Sequence, residues 1–439
     1  VGDAADDTAT LLTFNDTAGA APITIDSLDF TVVGTVTART LEASGATAVD
    51  SDIRIIELND DFLIDTIETA GDAHLETARA IADGGDGNVD IIADNVSLRS
   101  RTGAGDGDSL DTAISTVAAV NTVSGDIDIS NSVGGLLTVG SVDMVAGVVN
   151  EGPDDLSITN ASPQNILNSV AATGSITLTA MDTAAAGDDF TVNAGVAIVS
   201  TGSSVILNAG DDYSQDATAS ITAATTIEIN IDAGDADAGT GATATIDGSV
   251  SAATVNVTGA GDDDTLNSTA INSDFVVTGA NNAGTLTRGV GSVVNFTTIE
   301  NLGGGTGDDT FTLSGATIDG AISGGAGVNS VQLDNTANTV EVTAGDAGTM
   351  TGAGGGFTGI GSFTGGSGAD AFDLNGGALS GDIDGAGGSN SLQLDDVANT
   401  VDVTSVDGGT ATGLGGTFTS IGNISGGSGN DSIDLDGGT

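Results

Sequence analysis

The stretch "GGSGADAFDLNG" at residues 365–376 sets a glycine-rich turn directly before alternating apolar positions. Its template recurs with a spacing of 61 residues as "GGTGDDTFTLSG" (304–315) and "GGSGNDSIDLDG" (426–437), which aligns Asp309, Asp370 and Asp431. Apolar side chains at a period of two are typical of β-strands, and a long fixed period indicates a repeat architecture. The stretch therefore predicts a strand that recurs once in each repeat.

A finer period lies inside the repeat. The residues that precede each expected strand follow one another in steps of 20, 19 and 22: Asp309, Asn329, Gly348, Asp370, Asn390, Gly409 and Asp431. Two positions later stand the apolar residues Phe311, Val331, Met350, Phe372, Leu392, Ala411 and Ile433. We expect three coils of about 20 residues in each repeat, with these apolar residues stacked in one inward column.

Stacked short strands of this kind predict an all-β fold, a right-handed parallel β-helix, or β-solenoid. Each coil buries its apolar side chains only against its neighbours, and parallel crossovers are almost always right-handed. With strands about 4.8 Å apart, roughly 20 coils would form a rod on the order of 100 Å long.

The repeat style divides the chain into four predicted segments. Residues 304–439 carry the 61-residue repeats, 259–303 form bridging coils, and 85–258 repeat less regularly. Residues 1–84 form an N-terminal β and partly helical region, a cap or an insertion, because "AHLETARAIAD" (73–83) has helical spacing. The stretch 107–120 is expected to be a short helix or a loop. The pattern is cut in mid-repeat at the last residue, so we expect a slice of a longer protein.

Composition limits the partners. The formal net charge is −56, with 62 acidic against six basic residues. Such a surface repels nucleic acid and anionic lipid headgroups, and it attracts divalent cations that prefer carboxylate oxygens. Cysteine is absent, which excludes disulfides. No apolar stretch is long enough to span a membrane, so direct membrane insertion of this segment is not expected.

The middle of the chain resembles the repeats of giant bacterial surface proteins, the filamentous-haemagglutinin and autotransporter-type adhesins. The likeness lies in the rhythm of "GDIDISN" (125–131), "GSITLTA" (174–180) and "SSVILNAG" (203–210). The resemblance implies a secreted right-handed β-helix that holds adhesive or matrix functions away from the cell.

The three glycine-rich turns are similar to the calcium-binding nonapeptide of RTX proteins, G-G-x-G-x-D-x-apolar-x. This resemblance implies Ca²⁺ ligands at Asp309, Asp370 and Asp431, with Asp308 beside the first of them. The copies here are 61 residues apart and not in tandem. The alternative is a turn in which glycine supplies a positive φ, Asp or Asn caps the turn, and the alternating residues fill the core.

Two denser acidic loops are further candidate Ca²⁺ sites. Their aspartates are Asp262, Asp263 and Asp264 in "GAGDDDTLN", and Asp232, Asp235 and Asp237 in "DAGDADAG". Alternate aspartates in an extended loop can point to one side and share a cation that prefers oxygen. The alternative for each loop is a solvated acidic segment that aids solubility.

Enzymatic chemistry has little support, and we expect a protein that is not an enzyme. A polysaccharide lyase needs a basic residue beside its acids, yet lysine is absent and Arg288 is the only arginine after residue 101. A hydrolase needs two paired carboxylates, and no pair stands out. We expect an extracellular structural or adhesive segment of a bacterial surface protein or fibre that self-associates, with host or matrix glycans as candidate partners. The alternative is a calcium-dependent binding or surface-layer module.

Overall fold

The computed structural model describes residues 10–15, 23–28, 35–41, 52–85, 87–132, 135–161, 163–236, 239–269, 271–289 and 293–435. These residues form strands, turns and bends, and none of them lies in an α-helix. In the same residues there is thus no helix long and apolar enough to cross a membrane. The fold class is all-β, dominated by long parallel sheets, as the sequence predicts.

The chain divides into two compact units. Unit 1 comprises Val1–Ala238 and Gly248–Ala253, and unit 2 comprises Gly239–Asp247 and Thr254–Thr439. Each unit contains two sheets, which we number sheets 1 and 2 in unit 1 and sheets 3 and 4 in unit 2. The predicted segment boundaries after residues 84, 258 and 303 remain predictions.

Both sheets of unit 1 are parallel. Sheet 1 consists of Thr10–Asn15, Val36–Leu41, Phe62–Glu68, Ile81–Asp83, Ile91–Ile92, Leu110–Ala113, Ile127–Asn131, Leu156–Asn160, Ile176–Ala180, Val205–Asn208 and Thr226–Asn230. Sheet 2 consists of Ile23–Leu28, Ile53–Glu57, Ala73–Thr77, Asn95–Ser100, Thr116–Asn121, Leu137–Val139, Val148–Asn150, Gln164–Ile166, Val170–Ala172, Phe190–Val192, Ala197–Ser200, Tyr213–Gln215, Ser220–Ala223 and Ser249–Ser251. A small antiparallel hairpin, Ser141–Val142 with Val145–Ala146, packs against Ala118 of sheet 2 through Val142 and Val145.

Unit 2 combines parallel pairing with short antiparallel meanders. Sheet 3 consists of Thr254–Thr258, Ser273–Thr278, Gly284–Arg288, Val294–Thr297, Thr310–Ser314, Ser330–Gln332, Ser362–Thr364, Ile383–Asp384, Thr400–Ser405, Gly408–Ala411, Phe418–Thr419 and Ser432–Asp434. Sheet 4 consists of Thr243–Ile246, Thr265–Asn267, Asn301–Gly303, Ile322–Ser323, Thr339–Ala344, Ala347–Met350, Ala353–Thr358, Ala371–Asp373, Ser391–Gln393 and Asn423–Ser425.

The core of each unit is built from stacked inward positions. Along Leu156–Asn160 the side chains alternate between buried and half-buried, as a strand with one face on a core requires. Parallel registers then place like residues on like residues, since Ile129 pairs with Ile158 and Ile158 with Leu178. The predicted inward columns of apolar side chains are therefore present.

The composition of one predicted column is wrong. Phe311 pairs with Val331 as expected, but the next partner of Val331 is Phe363 and not Met350. Met350 instead pairs antiparallel with Val340, in the meander formed by Thr339–Ala344, Ala347–Met350 and Ala353–Thr358. Turn residues with positive φ, among them Asp346 at 53° and Gly352 at 93°, fold this segment back on itself in the same sheet.

Successive copies of the 61-residue repeat lie in alternate sheets. Phe296, Phe357 and Phe418 pair with strands of sheets 3, 4 and 3 respectively. All three are buried, with at most 2% of each residue exposed. The series begins at Phe296, so the predicted bridging segment contains the equivalent strands of an earlier copy of the repeat.

The predicted helix at 73–83 is wrong. Ala73–Thr77 and Ile81–Asp83 are strands, and the first has alternating burial with Ala73 and Leu75 inward. The apolar residues fit a period of two as well as a helical one, and parallel pairing with Ile53–Glu57 decides between them. The stretch 107–120 also contains no helix, because Leu110–Ala113 and most of Thr116–Asn121 form strands in this region.

Candidate functional site

Seven of the polar residues that precede strands of unit 2 are buried. We call them the cap positions: each follows a turn and is at most 4% exposed, and they are Asp264, Asp309, Asn329, Asn338, Asp370, Asn390 and Asn399. A buried polar group needs a hydrogen-bond partner to offset its lost hydration. The partners of the predicted calcium ligands therefore show what these side chains do.

Asp370 uses both carboxylate oxygens within the protein. The amide N–H of Asn338 and its Nδ2 donate to Oδ1 at 2.9 and 3.0 Å, and the N–H of Gly366 donates to Oδ2 at 3.2 Å. The N–H of Asp370 in turn donates to Oδ1 of Asn390 at 2.9 Å. The aspartate thus joins two neighbouring turns, which is a structural cap.

Asp309 occupies the same repeat position but lacks part of this arrangement. Its Oδ1 accepts the N–H of Ser273 at 2.7 Å, while Oδ2 is buried and finds no donor among the described residues. Ser273 stands where the next repeat has Asn338, so no side-chain amide reaches the carboxylate. Burial raises the pKa of Asp309 to about 6, and the neighbouring charge of Asp308 adds to the effect.

Asp431 and Asp308 are both exposed. Asp431 still accepts the N–H and the Nδ2 of Asn399 at 3.0 and 3.2 Å through Oδ1. Asp308 accepts the N–H of Val328 at 2.8 Å. The described carboxylates of the repeat turns therefore serve one common purpose, since each accepts backbone amide donors from an adjacent turn.

The acidic loop at 262–264 separates its three carboxylates by environment. Asp264 is buried and accepts N–H groups from Ala242 at 2.8 Å and Ala260 at 2.7 Å. Asp262 is half-buried and accepts the N–H of Gly239, whereas Asp263 is exposed. Burial raises the pKa of Glu300, whose Oε2 accepts the N–H of Asp264 at 2.9 Å.

The loop at 232–237 belongs to unit 1. Asp232 is buried and Asp235 is exposed, and both adopt a φ of 51°. The N–H of Asp235 donates to the carbonyl oxygen of Asp232 at 3.2 Å, which closes a tight turn. Asp237 lies outside the described residues.

The structure also shows polar sites that sequence reasoning missed. In unit 1 the hairpin Ser141–Ala146 folds over the outer face of sheet 2, where Asp143 forms an ion pair with Arg54. Nδ1 of His74 lies 3.8 Å from Oδ2 of Asp143, and Arg99 donates to its carbonyl oxygen at 3.2 Å. A period of two places Arg54, His74 and Arg99 outward on neighbouring strands, so the alternation held a signal for this cluster.

Comparison with known proteins gives no relative. No family model, curated protein or solved structure matches this chain. The resemblances to adhesins and to RTX turns therefore remain expectations.

Proposed function

We propose that this chain is a structural or adhesive segment of a long extracellular bacterial surface protein or fibre, in which each unit winds as a right-handed parallel β-helix. The observation that carries the proposal is the use of the cap positions. Asp370 and Asn390 form hydrogen bonds with residues of neighbouring turns, so these polar side chains connect successive turns of the chain. The register of 20 residues between Phe311 and Val331 supports coils of about that length.

A structural role also fits the shape of the described surface of unit 2. A groove of about 480 Å³ runs beside Thr312, Gln332 and Asp334. Asp334 is its one acidic lining residue, and Oδ1 of Asp334 accepts the N–H and the Oγ1–H of Thr336 at 2.8 and 2.7 Å. This groove therefore does not supply the pair of carboxylates that a glycoside hydrolase requires across a cleft.

Self-association belongs to the same proposal. The strand Ser432–Asp434 pairs with Thr400–Ser405, and 55% of Ile433 is exposed. A strand edge can pair with a further strand of similar pattern, whether from the same chain or from another copy. Host or matrix glycans remain candidate partners of the outer faces.

Immunogold labelling tests the proposal. An antibody raised against residues 293–435 is applied to intact and to permeabilised cells of the source organism. We expect gold on fibres or on the surface of intact cells. Labelling confined to the interior of permeabilised cells would contradict an extracellular role.

The second candidate function is a calcium-dependent binding or surface-layer module. Asp309 favours it, because its buried Oδ2 has no donor among the described residues and lies in a turn of the GGxGxD type. Thermal unfolding with calcium chloride or chelator separates the two candidates. A calcium-induced rise in the unfolding midpoint that Asp309→Asn abolishes would favour the calcium-dependent module. A midpoint that calcium does not change would contradict this second candidate.

A further inference from the structure

Two carboxylates meet at the base of a loop in unit 1. Ile81–Asp83 and Ile91–Ile92 both pair with Phe62–Glu68, and the described residues between them, 84–85 and 87–90, lie outside the strands. Asp83 ends the first strand and Asp90 directly precedes the second. Gly85 and Gly87, with φ of 82° and 70°, allow the chain to turn outside the sheet.

Asp90 is fully buried yet incompletely bonded. Its exposed fraction is 0%, and its Oδ2 accepts the N–H of Asp111 at 2.8 Å. Its Oδ1 finds no hydrogen-bond donor among the described residues. The backbone around it is held firmly, because the N–H of Asp90 donates to the carbonyl of Asp111 at 2.8 Å and its own carbonyl accepts from Ile67 at 2.6 Å. The side chain therefore cannot turn easily toward solvent.

The groups that face Asp90 are themselves acidic. The carboxyl group of Asp83 lies within hydrogen-bonding reach of the Asp90 carboxyl group. Asp111, whose N–H donates to Asp90, adds a further negative charge nearby. A buried carboxylate in such surroundings needs a positive partner. Asp83 is half-buried, so an ion from solvent can reach the site beside its side chain.

We propose that Asp83 and Asp90 bind a divalent cation of the calcium type between the ends of the strands Ile81–Asp83 and Ile91–Ile92. Calcium prefers carboxylate oxygen and tolerates irregular coordination with water in the remaining positions. The chain's charge of −56 concentrates such cations at its surface. The site lies outside the glycine-rich repeat turns and consists of described side chains at both ends of one loop.

Hydrogen exchange of the full chain, followed by mass spectrometry, tests the site locally. We expect millimolar calcium chloride, compared with chelator, to slow exchange in the peptide 84–92 by about tenfold, because a bound ion ties the two ends of the loop together. Asp90→Asn and Asp83→Asn should each remove the effect. Asn is close to Asp in shape, and the exchange of peptide 156–160 reports whether the variants keep the fold.

Asp94→Asn is the matched control, since Asp94 is exposed and lies four residues from Asp90. It removes the same charge and should retain the calcium effect. Equal protection in Asp90→Asn, or equal protection by sodium chloride at the same ionic strength, would overturn the proposal. Protection that follows acidification alone and ignores calcium would show a shared proton in place of a cation, and would overturn it too.

Discussion

Phe311 and Phe372 occupy the same position in consecutive repeats, 61 residues apart, yet they lie in different sheets. Phe311 pairs with Val331 in sheet 3, whereas Phe372 pairs with Leu392 in sheet 4. Both side chains are buried, with 0% and 1% exposed. One repeat therefore supplies its inward aromatic residue to one sheet and the next repeat supplies it to the other, so a single sequence pattern builds both sheets of unit 2.

The two phenylalanines differ in their aromatic neighbours. The ring of Phe311 stacks on Phe275 with centroids 5.0 Å apart and planes 5° apart, whereas the paired neighbours of Phe372 are Val340 and Leu392. Phe311→Leu should therefore lower the free energy of unfolding by about 1 kcal/mol more than Phe372→Leu. Chemical denaturation of both variants measures the difference. Equal losses would show that the stack adds nothing beyond apolar burial.

Asp309 should make stability depend on pH. Its pKa is raised to about 6 by burial, so the folded state holds a proton that the unfolded state releases near pH 4. The contribution of this group to stability is present below about pH 4 and is lost as pH rises to about 6. Asp309→Asn removes the buried charge and should be more stable than the parent by about 1 kcal/mol above pH 7, measured in chelator.

Asp370→Asn is the matched control for Asp309→Asn. Asp370 accepts donors on both oxygens, so an amide nitrogen would face the N–H of Asn338 or of Gly366. We expect a loss of about 1–2 kcal/mol at pH 7. If both variants changed the free energy of unfolding in the same direction, the different hydrogen bonding of Asp309 and Asp370 would not explain their stabilities.

Asn121 should be among the most sensitive polar residues of unit 1. Its Oδ1 accepts the N–H of Gly103 at 3.0 Å, and its Nδ2 donates to Gly125 O at 2.8 Å and to Oδ1 of Asn150 at 3.0 Å. Asn121→Ala leaves these buried groups without their partner and should cost about 3 kcal/mol. The half-buried Asn208, which donates to Oγ1 of Thr179 at 2.9 Å, should tolerate alanine with a loss below about 1 kcal/mol.

The hairpin Ser141–Ala146 should loosen in acid. Burial opposes ionisation, but the Arg54 guanidinium, aided by His74 and Arg99, holds the pKa of Asp143 below its ordinary value. Asp143 therefore contributes stability above about pH 4, and the contribution is lost as pH falls through the lowered pKa. Asp143→Asn should cost about 1 kcal/mol at pH 7, and the cost should shrink as the pH falls below about 4. A cost that does not change with pH would exclude the ion pair as its origin.

The sequence was sufficient to predict the strands of unit 2 and part of their pairing, but not all of the pairs. Period-two alternation and the 20-residue step were sufficient to predict that Phe311 stacks on Val331. The meander around Met350 was not predictable, because its apolar residues have the same period as a parallel strand and only tertiary pairing sets their direction. The cap role of Asp370 was available as an alternative from the turn pattern. Asp143 and Arg54 are 89 residues apart, and no local pattern joins them.

Cysteine cross-linking tests the central claim, the pairing of strands in unit 2, most directly, because the chain has no cysteine of its own. Gln332 lies beside Thr364 in the structure, whereas equal coils of about 20 residues would place it beside Thr351. Gln332→Cys with Thr364→Cys should form a disulfide on mild oxidation of the folded protein, since paired strands meet the required spacing. Gln332→Cys with Thr351→Cys should remain reduced. The reverse result, a disulfide to position 351 and none to 364, would contradict the account.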